Sequence, residues 1–516
     1  MIRPFKSNSD YNDFIEIMDT TLRDGEQTEE VSFSSSEKLA IAKKLLLDVK
    51  VDRIEIASTR VSKGEEESCK LIFDWANKLN MLDRIEVLSF VDFNKSIDWV
   101  DSLGGRVINL LCKGSKNHCL NQLHKKPREH CFDIERTVKY AKKKNFLVNA
   151  YLEDFSNGIK EDKNYVFLIT KKLLSLGVNR IMLADTLGVL SPEDVKKNIL
   201  KMTRRFPGAK FDFHAHNDYG LSIANSLFAV NSGVRGIHVT VNGLGERTGN
   251  TPLEVFVPVL KDFTRFNTNV DEKQLSNISH LVELFSRRRI EKNHPVVGGV
   301  VFTQTAGIHA DGDKKGNLYK SKLFAQRFGR LTRYSLGKLS GKASIDLTLK
   351  QFGIKLNENE LKKVLEKVIE LGDKKEFVSR DDLLFILNEL QQNKSAKKFE
   401  VLNYKVTSSK TMTPNAKIKV IFNSKKFSSF SNGGGGFDAF INALKKIFEE
   451  NNLSFPQLID YEVRIPVGGH TDALVECKII WKKGNRRIET IGVSTDQLEA
   501  AIKATEKMVN VVLFIK

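Results

Sequence analysis

Cysteine is scarce in this chain. Cys69, Cys112, Cys119, Cys131 and Cys477 are scattered over 516 residues, and no two form a C-x-x-C pair. That argues against a zinc knuckle or a disulfide framework and suits a reducing compartment. Long hydrophobic runs are also missing. No stretch of about 18 apolar residues occurs, so no membrane span is expected. The opening MIRPFKSNSDYND lacks the apolar core of a signal peptide, and a cytoplasmic location is expected. No G-x-G-x-x-G follows the first candidate strand, and no Walker spacing appears. Acidic residues are in deficit: 82 basic against 64 acidic leave a net charge of +18. Such a charge attracts anionic small molecules. The favoured reading is plainer: Lys-rich runs such as KKLLLDVK and ALKKIF are the solvated faces of amphipathic helices. No aromatic-plus-basic motif accompanies the charge, so no nucleic-acid partner is expected.

Hydrophobic residues make up 41% of the chain, enough for a real core. The length predicts two or three domains. Eight short apolar strands alternate with amphipathic helices through the first half: FIEIMDT (14–20), VDRIEIAS (51–58), RIEVLSF (84–90), VINLLC (107–112), FLVNAYLE (146–153), RIMLADT (180–186), KFDFHAH (210–216) and GIHVTVNG (236–243). Eight strands each followed by a helix is the arithmetic of a (β/α)8 barrel; a doubly wound open sheet is the alternative. The barrel is expected over 1–270, a mostly helical linker over 271–397, and a separate α+β domain over 398–516. Within the last, AKIKVIF–GGGGFDAFINALKKIF and ALVECKIIW–GVSTDQLEAAIKATEKM look like two copies of one βββα unit.

Polar residues collect where the strands end: Arg23 and Asp24, Glu153 and Asp154, Asp185 and Thr186, His214 and His216, and Asn242. In a barrel those ends converge on the active face. His214 and His216 are two apart on a strand, so both imidazoles face one side, while Phe211 and Phe213 face the other. Two histidines with the Asp24 carboxylate suit a divalent cation and leave positions open for substrate oxygens. An H-x-H pair also arises by chance, and one histidine could belong to the core. The Arg23 guanidinium fits an enolate or carboxylate oxygen, or else a surface ion pair. Glu153 could orient a proton or a water; it could equally be a solvated loop acid. Thr186 could bind a substrate carboxylate or cap its strand. The loop NGLGERTGN (242–250) has glycines that permit close backbone approach, though it is a weak phosphate signal.

The stretches DTTLRDGEQ (19–27), FHAHNDYGLSIANS (213–226), NGLGERTGNTPLE (242–254) and TAGIHADG (305–312) resemble those of the isopropylmalate, homocitrate and citramalate synthases. The resemblance runs nearly end to end and includes the amino-acid-sensing regulatory domain of that family. It implies an enzyme that condenses acetyl-CoA, as co-substrate, with a small 2-oxo acid. Asp24, His214 and His216 would hold the metal (Zn, Mn, Mg or Co), with Asn250 near it. Thr186 would bind the substrate carboxylate, Arg23 would stabilise the enolate or alkoxide, and His309 with Glu153 would take the methyl proton. The His309 region, with Asp311, Asn317 and Tyr319, reaches the partner's barrel in this family, which implies a homodimer.

Isopropylmalate synthases carry His-x-Phe-x-Ala-x-Ser on strand four; here it reads NLLCKGS (109–115). NAYLEDFSNG likewise departs from their Phe-Ser-x-Glu-Asp. Both departures are similar to citramalate synthases, which use pyruvate in isoleucine synthesis. Leu88, Leu111 and Tyr151 would then close on the pyruvate methyl. Phe437, Asp438, Leu458, Tyr461, Ile465 and Val475 sit where such enzymes bind their effector, which would be isoleucine (or leucine) as feedback inhibitor. The glycine loop lacks the cysteine of the related hydroxymethylglutaryl-CoA lyases.

Overall fold

Eight parallel strands close into a barrel in strict sequence order: β1 (Glu16–Asp19), β2 (Arg53–Ser58), β3 (Ile85–Phe90), β4 (Val107–Lys113), β5 (Leu147–Glu153), β6 (Arg180–Asp185), β7 (Phe211–Ala215) and β8 (Gly236–Val239). The structure is a computed structural model. It describes residues 13–304, 318, 321–334, 341–350, 356–373, 383, 386–387, 398–464, 475–484 and 486–514. The (β/α)8 expectation holds strand for strand. The one clear difference lies at β8, expected to run to residue 243. It stops at Val239 because Asn242 turns left-handed (φ 59°) inside a tight turn over Val241–Gly243.

Helices follow the strands for local reasons. Ser34 accepts from the Glu37 backbone and Glu37 returns the bond, a capping box that starts helix Ser35–Lys43. Ser191 with Asp194 does the same for Pro192–Arg205, with proline at the first turn. The outward row of each strand packs under this layer: Ile17, Ile54, Val87, Ile108, Val148, Ile181, Phe211 and Ile237 are all buried in one apolar cluster.

The inward row is unusual. Such barrels ordinarily fill their interior with branched apolar side chains. Here Arg53, Glu55, Glu86, Asn109, Asn149, Arg180, Asp212 and His238 occupy much of it, all buried, beside a small apolar group of Met18, Leu88, Met182 and Ala184. Register explains their meeting: Glu55 faces Glu86, Asn109 faces Asn149, Asn149 faces Arg180 and Met18 faces His238. At the floor, Arg53 bonds Glu86 (2.7 Å) and Asp212 (2.6 Å), and Arg180 bonds Asp212 (3.0 Å). Gly236 leaves room for this cluster, since a Cβ there would lie 2.2 Å from Asp212 Oδ1.

A second unit comprises 303–320 and 332–516. Strands β9 (Thr303–Gln304) and β10 (Arg333–Tyr334) pair in parallel, and helices Lys342–Lys350 and Glu358–Asp373 share a small cluster around Ile345 and Val368. Beyond residue 398 come two three-stranded antiparallel sheets. They are β11 (Phe399–Ser409), β12 (Met412–Phe422), β13 (Lys425–Asn432), and β14 (Gln457–Arg464), β15 (Val475–Lys483), β16 (Arg486–Ser494). Helices Gly436–Glu450 and Gln497–Phe514 complete the two βββα units, and both share one core containing Phe440, Phe448, Trp481 and Met508.

Removing one member of a buried ion pair strands the other, at about 3–5 kcal/mol. Arg53→Met should destabilise the barrel by about that amount, since it leaves Glu86 and Asp212 short of a partner. Urea denaturation followed by far-UV circular dichroism checks this; an unchanged midpoint would mean the floor charges contribute nothing.

Candidate metal centre and active site

The chain leaves β1 through a tight turn in which the Asp24 amide donates to Thr20 O at 2.8 Å. This turn swings Arg23 and Asp24 over the barrel mouth. On β7, alternation sends His214 and His216 to the same side. The three side chains meet. Asp24 Oδ2 lies 3.1 Å from His214 Nε2 and 3.9 Å from His216 Nε2, and the two imidazole nitrogens are 3.3 Å apart. Among the described residues they form a buried group whose donor atoms lie within 4.8 Å of one another.

The donor set fits a divalent cation. Asp24 Oδ2 and Asn250 Oδ1 are buried without hydrogen-bond partners, a costly state unless a cation takes their lone pairs. Burial favours protonation of Asp24, but the Arg23 charge and the two histidines outweigh it and hold the carboxyl well below its usual range. Burial also brings His216 down to about 4, so the imidazole is neutral and free to ligate. Asn250 pairs with His216 through the backbone, and its amide donates to Leu244 O at 3.2 Å. The glycines of this loop serve the fold: a Cβ on Gly249, at φ +85°, would lie 1.8 Å from Gly243 O.

Arg23 is fixed from below. Its Nε donates to Glu55 at 2.7 Å, and its Nη1 lies 3.4 Å from Asp24 Oδ1. Glu55 also accepts from Thr20 Oγ1 (2.8 Å), Asn109 Nδ2 (2.7 Å) and the Tyr151 hydroxyl (3.2 Å). Burial would raise the Glu55 carboxyl, yet Arg23 and these donors keep it ionised. The Tyr151 oxygen also lies 3.1 Å from His238 Nδ1, and His238 Nε2 lies 3.5 Å from Asp212. A polar column therefore runs from the mouth to the floor.

Leu88, Leu111 and Tyr151 form a compact interior cluster with Met18, Met182 and Ala184. The Tyr151 ring meets His214 edge-on at 5.9 Å. Thr186 Oγ1 accepts from the Asp154 amide at 2.9 Å and keeps its own proton to donate. Glu153 ends β5 in an ion pair with Lys113. It helps line a cavity of about 340 Å³ with Phe90, Leu111, Lys113, Lys125 and His130. Three residues at the strand ends turn elsewhere. Asp185 accepts from the Val189 and Leu190 amides, Asp218 binds Arg247 at 2.7 Å, and Asn242 bonds Ser279. His309, Asp311, Asn317, Tyr319 and Ile465 lie outside the described residues. In the second unit the Phe437 and Tyr461 rings stand 5.1 Å apart. Asp438 Oδ2 accepts from the Gly434 amide and Asn442, Val475 is buried, and Leu458 is half-exposed.

Sequence reasoning missed Glu55, Lys113, Asp212 and His238. The signal was there: Arg53, Glu55 and Glu86 sit at alternate positions that an apolar barrel interior would not tolerate.

His214→Ala should fold yet fail to retain a divalent ion after dialysis, while His280→Ala, with an exposed side chain, should retain it. Elemental analysis beside circular dichroism makes the comparison; equal metal content in both would remove the centre from this place.

The sequence profile of the HMGL-like family matches residues 14–282, that of the homocitrate synthase post-HMGL domain 296–376, and that of the LeuA allosteric (dimerisation) domain 377–513. Among solved structures, the HMG-CoA lyase of Bacillus subtilis superposes with a TM-score of 0.46 at 21% identity, over 54% of this chain and 96% of that one. Among curated proteins, (R)-citramalate synthase of Methanocaldococcus jannaschii is 32% identical over 97% of this chain and 99% of its own. A protein of Methanopyrus kandleri named probable 2-isopropylmalate synthase is 32% identical over 96% of this chain and 98% of its own. The chain belongs to the isopropylmalate, homocitrate and citramalate synthase family, with an HMGL-like barrel and a LeuA-type C-terminal domain.

Proposed function

We propose that this enzyme condenses acetyl-CoA with pyruvate and hydrolyses the thioester, giving (R)-citramalate and CoA. The observation that supports the choice of oxo acid is the packing of Leu88 and Tyr151, with Leu111 against them, in the barrel interior. It suits a methyl group and overpacks against an isopropyl group.

Asp24, His214 and His216, with Asn250 beside them, would hold a divalent cation; Zn, Mn, Mg and Co all suit mixed imidazole and carboxylate ligation. When bound, such an ion polarises the keto oxygen of the 2-oxo acid as a Lewis acid. The Thr186 hydroxyl donates to the substrate carboxylate. Glu153, with His309, accepts a proton from the acetyl methyl. The electron pair of that C–H bond becomes the new C–C bond to the keto carbon. Negative charge then grows on the keto oxygen, and Arg23, locked in place by Glu55, stabilises it without reorganising. The alkoxide takes up a proton, and water then cleaves the thioester.

The LeuA-type domain and the resemblance support a homodimer in which the His309 region serves the partner's barrel. Isoleucine is the proposed feedback inhibitor, with Asp438 meeting its amino group and Phe437 and Tyr461 its side chain. Among the described residues no helix is long and apolar enough to cross a membrane.

The Methanopyrus kandleri relative favours a second reading, the same chemistry on 2-oxoisovalerate for leucine synthesis. CoA release with added divalent metal separates the two. Pyruvate should lead 2-oxobutyrate by roughly 10- to 100-fold, as one methylene in an apolar pocket allows, and 2-oxoisovalerate should be slower still. Leu111→Ala should narrow the gap to 2-oxobutyrate. A lead for 2-oxoisovalerate would discard the pocket argument. Asp438→Ala should relieve isoleucine inhibition and leave uninhibited turnover as it was; full inhibition of the variant would move the sensor elsewhere.

A further inference from the structure

Lys113 ends β4, Glu153 ends β5, and the two are register partners on adjacent parallel strands. Their side chains form an ion pair at the C-terminal rim of the barrel. Lys113 is only 7% exposed, so its ammonium has lost most of its water and must keep its partner. The backbone beneath it is clamped. The Gly114 amide donates to Glu153 O at 2.6 Å, and a Cβ on Gly114 would lie 2.7 Å from that same oxygen. Lys113 O accepts from the Tyr165 hydroxyl at 3.2 Å, and that hydroxyl lies 2.8 Å from His130 Nδ1.

Neighbouring bases do not compete for Glu153. Lys125 is paired with Asp133 at 2.5 Å. Burial, aided by the Lys125 and Lys113 charges, brings His130 down to about 4 and keeps it neutral. Among the described residues the carboxylate is therefore held by one cation, at the wall of the cavity that Leu111 and Phe90 share.

We propose that Lys113 is a positioning residue for the condensation: its ammonium fixes the Glu153 carboxylate at the cavity edge where the acetyl methyl loses its proton. This rests on the condensation reading above. Glutamate has three rotatable bonds, and one at a rim turns readily to water. A misplacement of about 1 Å at a reacting group costs on the order of 100-fold in rate. In the step itself the methyl C–H bond breaks, the proton leaves toward the carboxylate, and the electron pair enters the new C–C bond. Lys113 keeps its own protons throughout.

The test compares the metal-loaded wild type with Lys113→Met, Lys113→Arg and Glu153→Gln. Each is assayed for CoA release from acetyl-CoA with pyruvate, using ordinary and methyl-deuterated acetyl-CoA. Lys113→Met is expected to lower kcat about 10- to 100-fold, leave KM for pyruvate unchanged, and enlarge the deuterium isotope effect. Lys113→Arg should recover part of the rate, because a guanidinium also grips a carboxylate. The double variant with Glu153→Gln should be no slower than Glu153→Gln alone, since both changes act on one group. If Lys113→Met does not fold, Lys113→Gln, which keeps much of the stem, takes its place. A lower melting temperature with an unchanged isotope effect would make the pair merely structural and overturn the proposal, as would wild-type kcat. A wild-type chain that releases no CoA with any 2-oxo acid would instead overturn the condensation reading, and the positioning role with it.

Discussion

The carboxylate of Glu55 is where the barrel's charges are settled. It is fully buried and would hold a proton were it alone, yet it faces the Arg23 guanidinium at 2.7 Å. Each ion makes the other's charge tolerable in a medium of low dielectric constant. The arrangement of the mouth depends on this pair. Arg23 is aimed by Glu55, and the aimed guanidinium in turn holds Asp24 ionised. An ionised Asp24 beside two imidazoles is the donor set that a divalent cation needs. The same carboxylate reaches downward through Tyr151 to His238 and Asp212. Chemistry at the rim and packing at the floor are thus two ends of one hydrogen-bonded chain.

The division of labour between the two faces of each strand comes from alternation. Outward residues are apolar and bury against helices, which sets the strands' order and closure. Inward residues are largely polar below and include a small apolar group of Met18, Leu88, Met182 and Ala184, and they have little freedom, since every neighbour is another strand. That rigidity suits a site whose groups must be aimed before the substrate arrives. In the second unit, two βββα copies share one core. The ring contact between Phe437 and Tyr461 joins the first copy's helix to the second copy's sheet. A ligand held there would touch both copies at once.

Much of this was legible in the sequence. The eight strands declare themselves by short apolar runs, and the period of two places His214 and His216 on one side. The duplication near the C-terminus is visible in matched strand and helix patterns. Which strand-end acids face inward was not legible. Asp24, Asp185 and Asp218 look alike in sequence. Asp185 spends its oxygens on two backbone amides, and Asp218 binds Arg247. Local turn geometry decides this, and residue type does not encode it. The partnership of Lys113 with Glu153 was hidden for another reason: forty residues separate them, and only the pairing of β4 with β5 brings them together.

The floor of the barrel carries a consequence for how such a chain can change over generations. Arg53 stands between Glu86 on β3 and Asp212 on β7, and Asp212 also answers to Arg180 on β6. Gly236 on β8 must stay small for the same carboxylate. A change at any of these five positions takes a partner from the cluster or crowds it, and Arg53 also leans on Glu16. Substitutions at Arg53 or Asp212, which each serve several partners, are the ones that call for changes on neighbouring strands. The floor should therefore vary among descendants as correlated sets, while the solvated helices outside wander one residue at a time.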